Sequence, residues 1–153
     1  MIELTFSPRP ENDFPGPKKA RDLPTVSEMD LRYGYFEADV TFRVEGADFF
    51  YPCRRLPLID FMFTLAYSAQ SIRSGELGEI DFTESSDWVR LYPQGDRIEI
   101  RIKKGSPSGS CGVDEYFTAV SGFVQSGIGN IISRHPGMKE NPAISRLRNM
   151  IDA

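Results

Sequence analysis

The side chains that could do nucleophilic or acid-base chemistry are few: one histidine, His135, and two cysteines, Cys53 and Cys111. Cys111 stands just before a predicted long helix, where exposed amides and the helix dipole can favour a thiolate. His135 stands at the far end of that helix, so at ~1.5 Å per residue the two side chains lie roughly 30 Å apart and cannot share a proton. Cys111 alone therefore carries the hypothesis of a thiol-dependent enzyme, and an unreactive loop thiol is the simpler interpretation.

The sequence supports a metal site or a phosphate-binding site no better than a thiol-dependent enzyme. One histidine and two distant cysteines do not have the spacing of a zinc site, so we predict no metal site and no cofactor. The glycine-rich stretch Gly105 to Gly112 precedes a helix, as phosphate-binding loops do. It lacks both the Gly-Lys-Ser/Thr ending and the Gly-x-Gly-x-x-Gly pattern, so we interpret it as a plain loop. The sequence predicts no catalytic constellation and thus no enzyme.

Acidic residues cluster between Glu76 and Asp87, with no lysine or arginine among them. Strand alternation directs Ile80 and Phe82 inward and leaves Glu79 and Asp81 outward. A solvated face explains this cluster most simply. An acidic docking surface for a basic partner is the functional alternative.

The next strand adds aromatic and arginine side chains to the same surface. If Val89 and Leu91 point into the core, Trp88, Arg90 and Tyr92 point outward, and these residue types are enriched at binding hot spots. Tyr33 and Tyr35 have the parity of outward residues in an earlier strand. The predicted partner-binding residues are Tyr33, Tyr35, Glu79, Asp81, Trp88, Arg90 and Tyr92. The proline-rich N-terminal segment or the C-terminal helix could instead cover these rings.

The elements that must position these residues follow from apolar periodicity. Strands are predicted at Ile2 to Phe6, Leu31 to Val44, Asp48 to Cys53, Glu79 to Thr83, Trp88 to Tyr92 and Arg97 to Lys103. Helices are predicted at Pro57 to Ser74, at Asp114 to Arg134 and, after the Asn141-Pro142 cap, at the C-terminus. This order predicts an α+β fold with one antiparallel sheet of five to six strands, and with two main helices and a short C-terminal helix packed on one face.

The chain of 153 residues has the size of a single domain, 1–153. Residues 1–28 form a strand followed by an irregular segment with five prolines between Pro8 and Pro24, and residues 29–153 form the main body.

A stripe of small residues runs along the second main helix at Thr118, Gly122, Ser126, Gly129 and Ser133. Glycine lowers helix stability by ~1 kcal/mol relative to alanine, so a packing reason is expected. We expect the stripe to pack against the first main helix, and a homodimer through the stripe is the alternative.

Net charge and composition limit the classes of partner and the cellular compartment that we expect. The net charge of −4 argues against nucleic acid as a partner, and no segment has the ~20 apolar residues that a membrane span needs. The start of the chain lacks the pattern of a secretory signal, and cysteines are few, so we expect a cytoplasmic protein.

Several segments together carry a family resemblance: Arg32-Tyr33-Gly34-Tyr35-Phe36, Asp81-Phe82-Thr83-Glu84-Ser85, the Ile98 to Ile102 strand, His135-Pro136 and Asn141-Pro142. From about Met29 onward the chain resembles a group of small uncharacterised bacterial proteins, some of which are similar to immunity proteins of polymorphic toxin systems. The resemblance implies a non-catalytic protein that neutralises a toxin domain, and it carries over no functional residues. An accessory chaperone or adaptor for a secreted or multi-subunit client is the second hypothesis.

Overall fold

The first of two antiparallel sheets is built around one long strand. The computed structural model describes residues 1–15, 22–82, 85–105 and 107–152. Strands β1 (Ile2–Pro8), β2 (Glu37–Val44), β3 (Ala47–Asp48) and β4 (Arg54–Pro57) form this sheet. β1 pairs with one edge of β2, from Ile2 opposite Val44 to Pro8 opposite Ala38, and β3 and β4 share the other edge.

The second sheet is a meander. Its strands, in spatial order, are β5 (Gly78–Asp81), β6 (Trp88–Gln94), β7 (Arg97–Ile102) and β8 (Ser108–Gly112). The period of two is clear in β7, where Ile98 and Ile100 are buried while Arg97 and Arg101 are exposed. One face of this sheet therefore belongs to the core and the other faces outward.

Four helices and the two sheets enclose the core of the described chain. The helices are α1 (Glu28–Gly34), α2 (Leu58–Arg73), α3 (Val113–Arg134) and α4 (Pro142–Asp152). α2 packs against both β5 and α3, while α3 also packs along β1. The Phe50 ring lies 5.7 Å from both Phe42 of the first sheet and Phe82 after β5, so aromatic packing joins the sheets.

The sequence predictions for the longer elements are confirmed. Pro57 is the N-cap of α2, α3 begins one residue before its predicted start, and β1 extends the predicted first strand to Pro8. At α4 the Asn141 side chain accepts a hydrogen bond of 2.9 Å from the Ala143 amide, as the cap prediction requires. The α+β class with antiparallel pairing is also confirmed.

The expectation of a single sheet of five to six strands is wrong, because the described strands form two separate sheets of four. β1, β3 and β4 occupy both edges of β2, so no edge of that strand remains for the meander. The two sheets instead meet where Gly109 of β8 lies beside Val44, and an ideal Cβ at this glycine would lie 3.1 Å from the Glu45 carbonyl oxygen.

The predicted strand Leu31 to Val44 is wrong over its first six residues, Leu31 to Phe36. Ser27 accepts a hydrogen bond of 3.2 Å from the Asp30 amide and caps α1, which buries Leu31 completely. Phe36 then has a φ of 55°, in the left-handed region that non-glycine residues rarely adopt. Hydrogen bonds at its amide, to Asp13, and at its carbonyl, from Leu58, hold this reversal, so β2 begins only at Glu37.

The predicted return arm Asp48 to Cys53 and the predicted loop Gly105 to Gly112 are also wrong. Only Ala47–Asp48 pairs back onto β2, and the next pairing strand is β4. In the other segment, Ser108–Gly112 pairs with β7 as strand β8, with Cys111 opposite Ile98. Ser106 lies outside the described residues.

The small-residue stripe does not pack against α2, contrary to the first expectation. All five of its residues are exposed, because the buried side of α3 is the opposite one, which includes Val120, Val124 and Ile128. The glycine that faces α2 is Gly127, whose neighbour is Met62.

The proline-rich segment is irregular where it is described. It has two 3-10 turns, Pro10–Asn12 and Leu23–Thr25, and residues 16–21 lie outside the described part of the chain. None of the helices in the described residues is long and apolar enough to cross a membrane.

Candidate protein-binding face

The outward side of the second sheet gathers five of the seven predicted partner-binding residues. We call it the outer face; its residues are Glu79, Asp81, Trp88, Arg90, Tyr92, Glu99 and Arg101. Alternation in β5 and β6 turns Ile80, Val89 and Leu91 into the core, so that the predicted inward and outward positions are confirmed.

One half of the outer face is a chain of contacts across β5 and β6. Glu79 lies opposite Arg90, and its carboxylate accepts a hydrogen bond of 2.7 Å from the Arg90 Nε. The same guanidinium lies 3.9 Å from the centroid of the Trp88 ring, a cation–π arrangement. Trp88 is half-buried, so its ring is held in place while part of its surface stays accessible.

The other half repeats this pattern across β6 and β7. The Arg101 guanidinium lies 4.7 Å from the Tyr92 ring centroid and 2.8 Å from the Glu99 carboxylate. Tyr92 lies opposite Glu99, and Arg90 lies opposite Arg101, so the two halves are adjacent. Because these contacts already restrain the Trp88, Arg90, Tyr92 and Arg101 side chains, the side chains would lose less conformational entropy on binding a partner.

Glu99 and Arg101 belong to the outer face although the sequence prediction omitted them. The period-two alternation that places Ile98 and Ile100 inward also places these two residues outward. The same parity rule that found Arg90 would have found them.

Asp81 closes the β5 edge of the outer face. It lies opposite Trp88, and partial burial together with a hydrogen bond shared with Glu79 raises the pKa of Asp81. Beside it opens a narrow crevice lined by Arg54, Thr64 and Phe82, among others. Its volume is about 10 Å³, room for one water molecule at most, so it is not a pocket for a partner side chain.

The charges of the outer face are mixed. Its acidic residues Glu79, Asp81 and Glu99 stand among Arg90 and Arg101, and Asp87 of the acidic cluster pairs with Arg54 at 3.3 Å. The cluster that looked purely acidic along the chain is therefore mixed in space. The outer face suits a partner with polar and aromatic complementarity more than one that carries only positive charge.

Tyr33 and Tyr35 do not lie on the outer face, contrary to the parity expectation. Tyr33 is in the last turn of α1 and Tyr35 caps that helix, where its ring lies 6.2 Å from Phe14. Both lie near the start of β2 in the first sheet because their segment is helical.

The segments that could have covered the rings pack elsewhere. α4 contacts α2 and α3. The described N-terminal segment is fixed by Asn141, whose side-chain amide donates to the Leu23 carbonyl at 2.6 Å, and by an ion pair between Arg9 and Asp39. Among the described residues, neither segment covers Trp88 or Tyr92.

Cys111 and His135, the candidates for nucleophilic and acid-base chemistry, both have structural surroundings. Cys111 is fully buried, and this burial raises the pKa of its thiol to about 11, opposite to the effect expected of a helix N-terminus. His135, at the end of α3, points one ring nitrogen to the Asp13 carboxylate at 2.8 Å, and its ring lies 4.9 Å from Phe14. Arg134 pairs with the same carboxylate. This group ties the N-terminal segment to the end of α3.

Thiol reactivity tests this placement. We expect a disulfide reagent at neutral pH to modify one thiol per native chain, the exposed Cys53, and the second only on unfolding. In Cys53→Ser the native protein should therefore be almost unreactive, because Cys111 is fully buried and this burial raises the pKa of its thiol to about 11. Rapid modification of Cys111 at neutral pH in that variant would contradict the buried placement.

Known proteins offer no guide to the outer face. No protein-family model, curated protein or solved structure matches the chain. In the described residues, no group of three or more His, Cys, Asp or Glu side chains could hold a metal ion.

Proposed function

We propose that this protein is a non-catalytic protein-binding domain and that the outer face is where its partner docks. One observation carries the proposal: Trp88, Arg90 and Tyr92, three residues of the types that dominate binding energy, are adjacent and partly accessible, and cation–π contacts hold the Trp88 ring against Arg90 and the Tyr92 ring against Arg101.

The specific form we propose is an immunity protein that acts in the cytoplasm and neutralises a cognate toxin by covering its active site. The family resemblance, the small size and the net charge of −4 support it, since many toxin domains that act on nucleic acid would be basic. The outer face, with its mixed charges, would supply the close contacts, and the net charge would accelerate encounter.

The second candidate is an accessory chaperone or adaptor for a secreted or multi-subunit client. The specific observation in its favour is the exposed stripe of α3, which suits a symmetric assembly. A thiol-dependent enzyme is disfavoured, because Cys111 is fully buried and this burial raises the pKa of its thiol to about 11.

The proposal is tested on the partner that co-purifies from a native lysate. We expect the double substitution Trp88→Ala and Tyr92→Ala to weaken the affinity by ~30-fold or more, because truncating a hot spot costs ~2 kcal/mol or more. The matched control is Tyr33→Ala, which truncates an aromatic ring that is 51% exposed on α1 and lies off the outer face. Unchanged affinity in the first variant would remove the outer face as the binding site.

The two forms of the proposal differ in what the partner does. An immunity protein requires a partner that is toxic when expressed alone and harmless when this chain is co-expressed. A chaperone or adaptor requires a partner that is harmless alone but aggregates or is degraded without this chain. A gene for a long secreted protein with a variable C-terminal domain beside this one would favour the first form.

A further inference from the structure

Strand β1 leaves one edge of the first sheet open. β1 pairs with β2 on one side, and within the described residues no strand pairs with its other side. Such an edge presents unpaired backbone donors and acceptors, which favour pairing with another strand.

The register identifies which backbone groups point to the open edge. The Arg9 amide donates to the Glu37 carbonyl at 3.0 Å, and residues of an antiparallel strand alternate in the side to which they bond. Odd-numbered residues of β1 therefore bond to β2. The amides and carbonyls of Ile2, Leu4 and Phe6 point to the open edge.

Helix α3 runs beside β1 and forms the other wall of a groove. The N-terminal ammonium lies 3.2 Å from Glu115 and the Phe6 ring lies 5.4 Å from Phe123, so strand and helix run in the same direction. The groove between them has a volume of about 640 Å³, and Thr118, Gly122 and Ser126 of the small-residue stripe line it. A Cβ added at Gly122 would meet no atom within 4 Å.

The open edge is complementary to a second copy of itself. If two β1 strands pair antiparallel with Leu4 on the two-fold axis, Ile2 pairs with Phe6 of the other copy and every bonding position has an amide. Glu3 then lies opposite Thr5, so no like charges face each other. The neighbouring register in one direction puts Glu3 opposite Glu3 of the second copy. The neighbouring register in the other direction puts Pro8, which has no amide, at a hydrogen-bonding position opposite Ile2.

The helix face beside this edge is equally suited to a copy of itself. The same two-fold axis places the α3 helices of the two copies side by side and antiparallel, with Gly122 near the axis. The stripe has no charged residue, and its small side chains let two helices approach closely.

From these observations we infer that the protein forms a symmetric dimer in which β1 pairs with β1 of a second copy, joining the first sheets, while the α3 stripes pack together. The occupant of the groove is thus a second copy of this chain. The dimer contact involves β1 and α3 and none of the residues of the outer face. It does not rest on the immunity form of the proposed function, whereas it would favour the chaperone or adaptor form.

The area of the proposed contact indicates how tightly the two copies would associate. α3 has 22 residues and is about 33 Å long. With β1 the contact is about 15 Å wide, so each copy contributes roughly 500 Å², near the lower limit for a specific interface. We therefore expect dissociation in the micromolar range.

Sedimentation and amide hydrogen exchange of the protein without an N-terminal tag test the dimer. We expect the mass to rise from monomer to dimer with concentration, and the amides of Ile2, Leu4 and Phe6 to become protected in parallel. Gly122→Arg should weaken the dimer by more than about tenfold, because two like charges would meet near the axis. Asn149→Arg on the exposed side of α4 is the matched control and should leave it unchanged.

A proline substitution tests the strand pairing itself. Ile2→Pro removes an amide that points to the open edge, at the first residue of a strand, where proline is tolerated. We expect about tenfold weaker dimerisation than for Ile2→Ala, which keeps the amide. A monomer at all concentrations, a dimer indifferent to Gly122→Arg, or β1 amides that stay unprotected in the dimer would each overturn the inference.

Discussion

Replacing Asp13 with alanine is expected to lower the free energy of unfolding by about 3 kcal/mol, because a buried carboxylate leaves two polar partners behind. The Asp13 side chain is only 5% exposed and pairs with Arg134 and with His135. Its removal would leave the Arg134 guanidinium, 20% exposed, without its counter-ion. Urea unfolding monitored by circular dichroism measures the loss.

Controls separate the ion pair from the space the side chain fills. Asp13→Asn keeps the volume and one acceptor oxygen, so we expect a smaller loss than for alanine. Asp39→Ala removes the carboxylate of a more exposed pair with Arg9, and such a pair contributes only ~0–1 kcal/mol. An Asp13→Ala loss no larger than that of Asp39→Ala would show that the group at the end of α3 does not hold the N-terminal segment.

Gly109→Ala is expected to be the second costly substitution, at about 2–3 kcal/mol. Its new methyl group would overlap a methyl of Val44 and lie 3.1 Å from the Glu45 carbonyl oxygen and 3.2 Å from the Ala47 Cβ. Two of these neighbours belong to strands of the first sheet and the third to the turn between them, so the methyl group cannot be accommodated by turning one side chain. The two sheets would have to separate locally.

The matched control is Gly122→Ala, where the added Cβ meets open space. In that helical position alanine should raise stability by up to ~1 kcal/mol. Thermal unfolding of both variants gives opposite shifts if Gly109 is the close contact between sheets. A neutral Gly109→Ala would contradict that contact.

The sequence correctly predicted those helices and strands that bury one face and expose the other. The helical period from Leu58 to Ile72 and the alternation in β6 and β7 predicted α2 and the outward residues, because burial itself imposes those periods. Five of the seven predicted site residues lie on the outer face for this reason. The Asn141-Pro142 cap predicted α4 equally well, because a cap is a local interaction.

Contacts between distant segments determined the elements that the sequence pattern did not predict. Ser108–Gly112 has no apolar alternation and became a strand because β7 offered an edge. Tyr33 and Tyr35 were misplaced since a helix of seven residues, fixed by Ser27 and by burial of Leu31, replaced the expected start of β2. Two sheets rather than one follow from long-range pairing, which alternation within a strand cannot reveal.

Trp88, the only tryptophan of the chain, allows the most direct test of the outer face as a docking surface. Protein labelled with 5-fluorotryptophan should give one fluorine resonance, and we expect saturating amounts of the co-purifying partner to shift or broaden it as the ring becomes covered. The stripe variant Gly122→Arg should show the same change. A resonance that stays in place while sedimentation shows the partner to be bound would place the partner elsewhere on the protein and contradict the proposal.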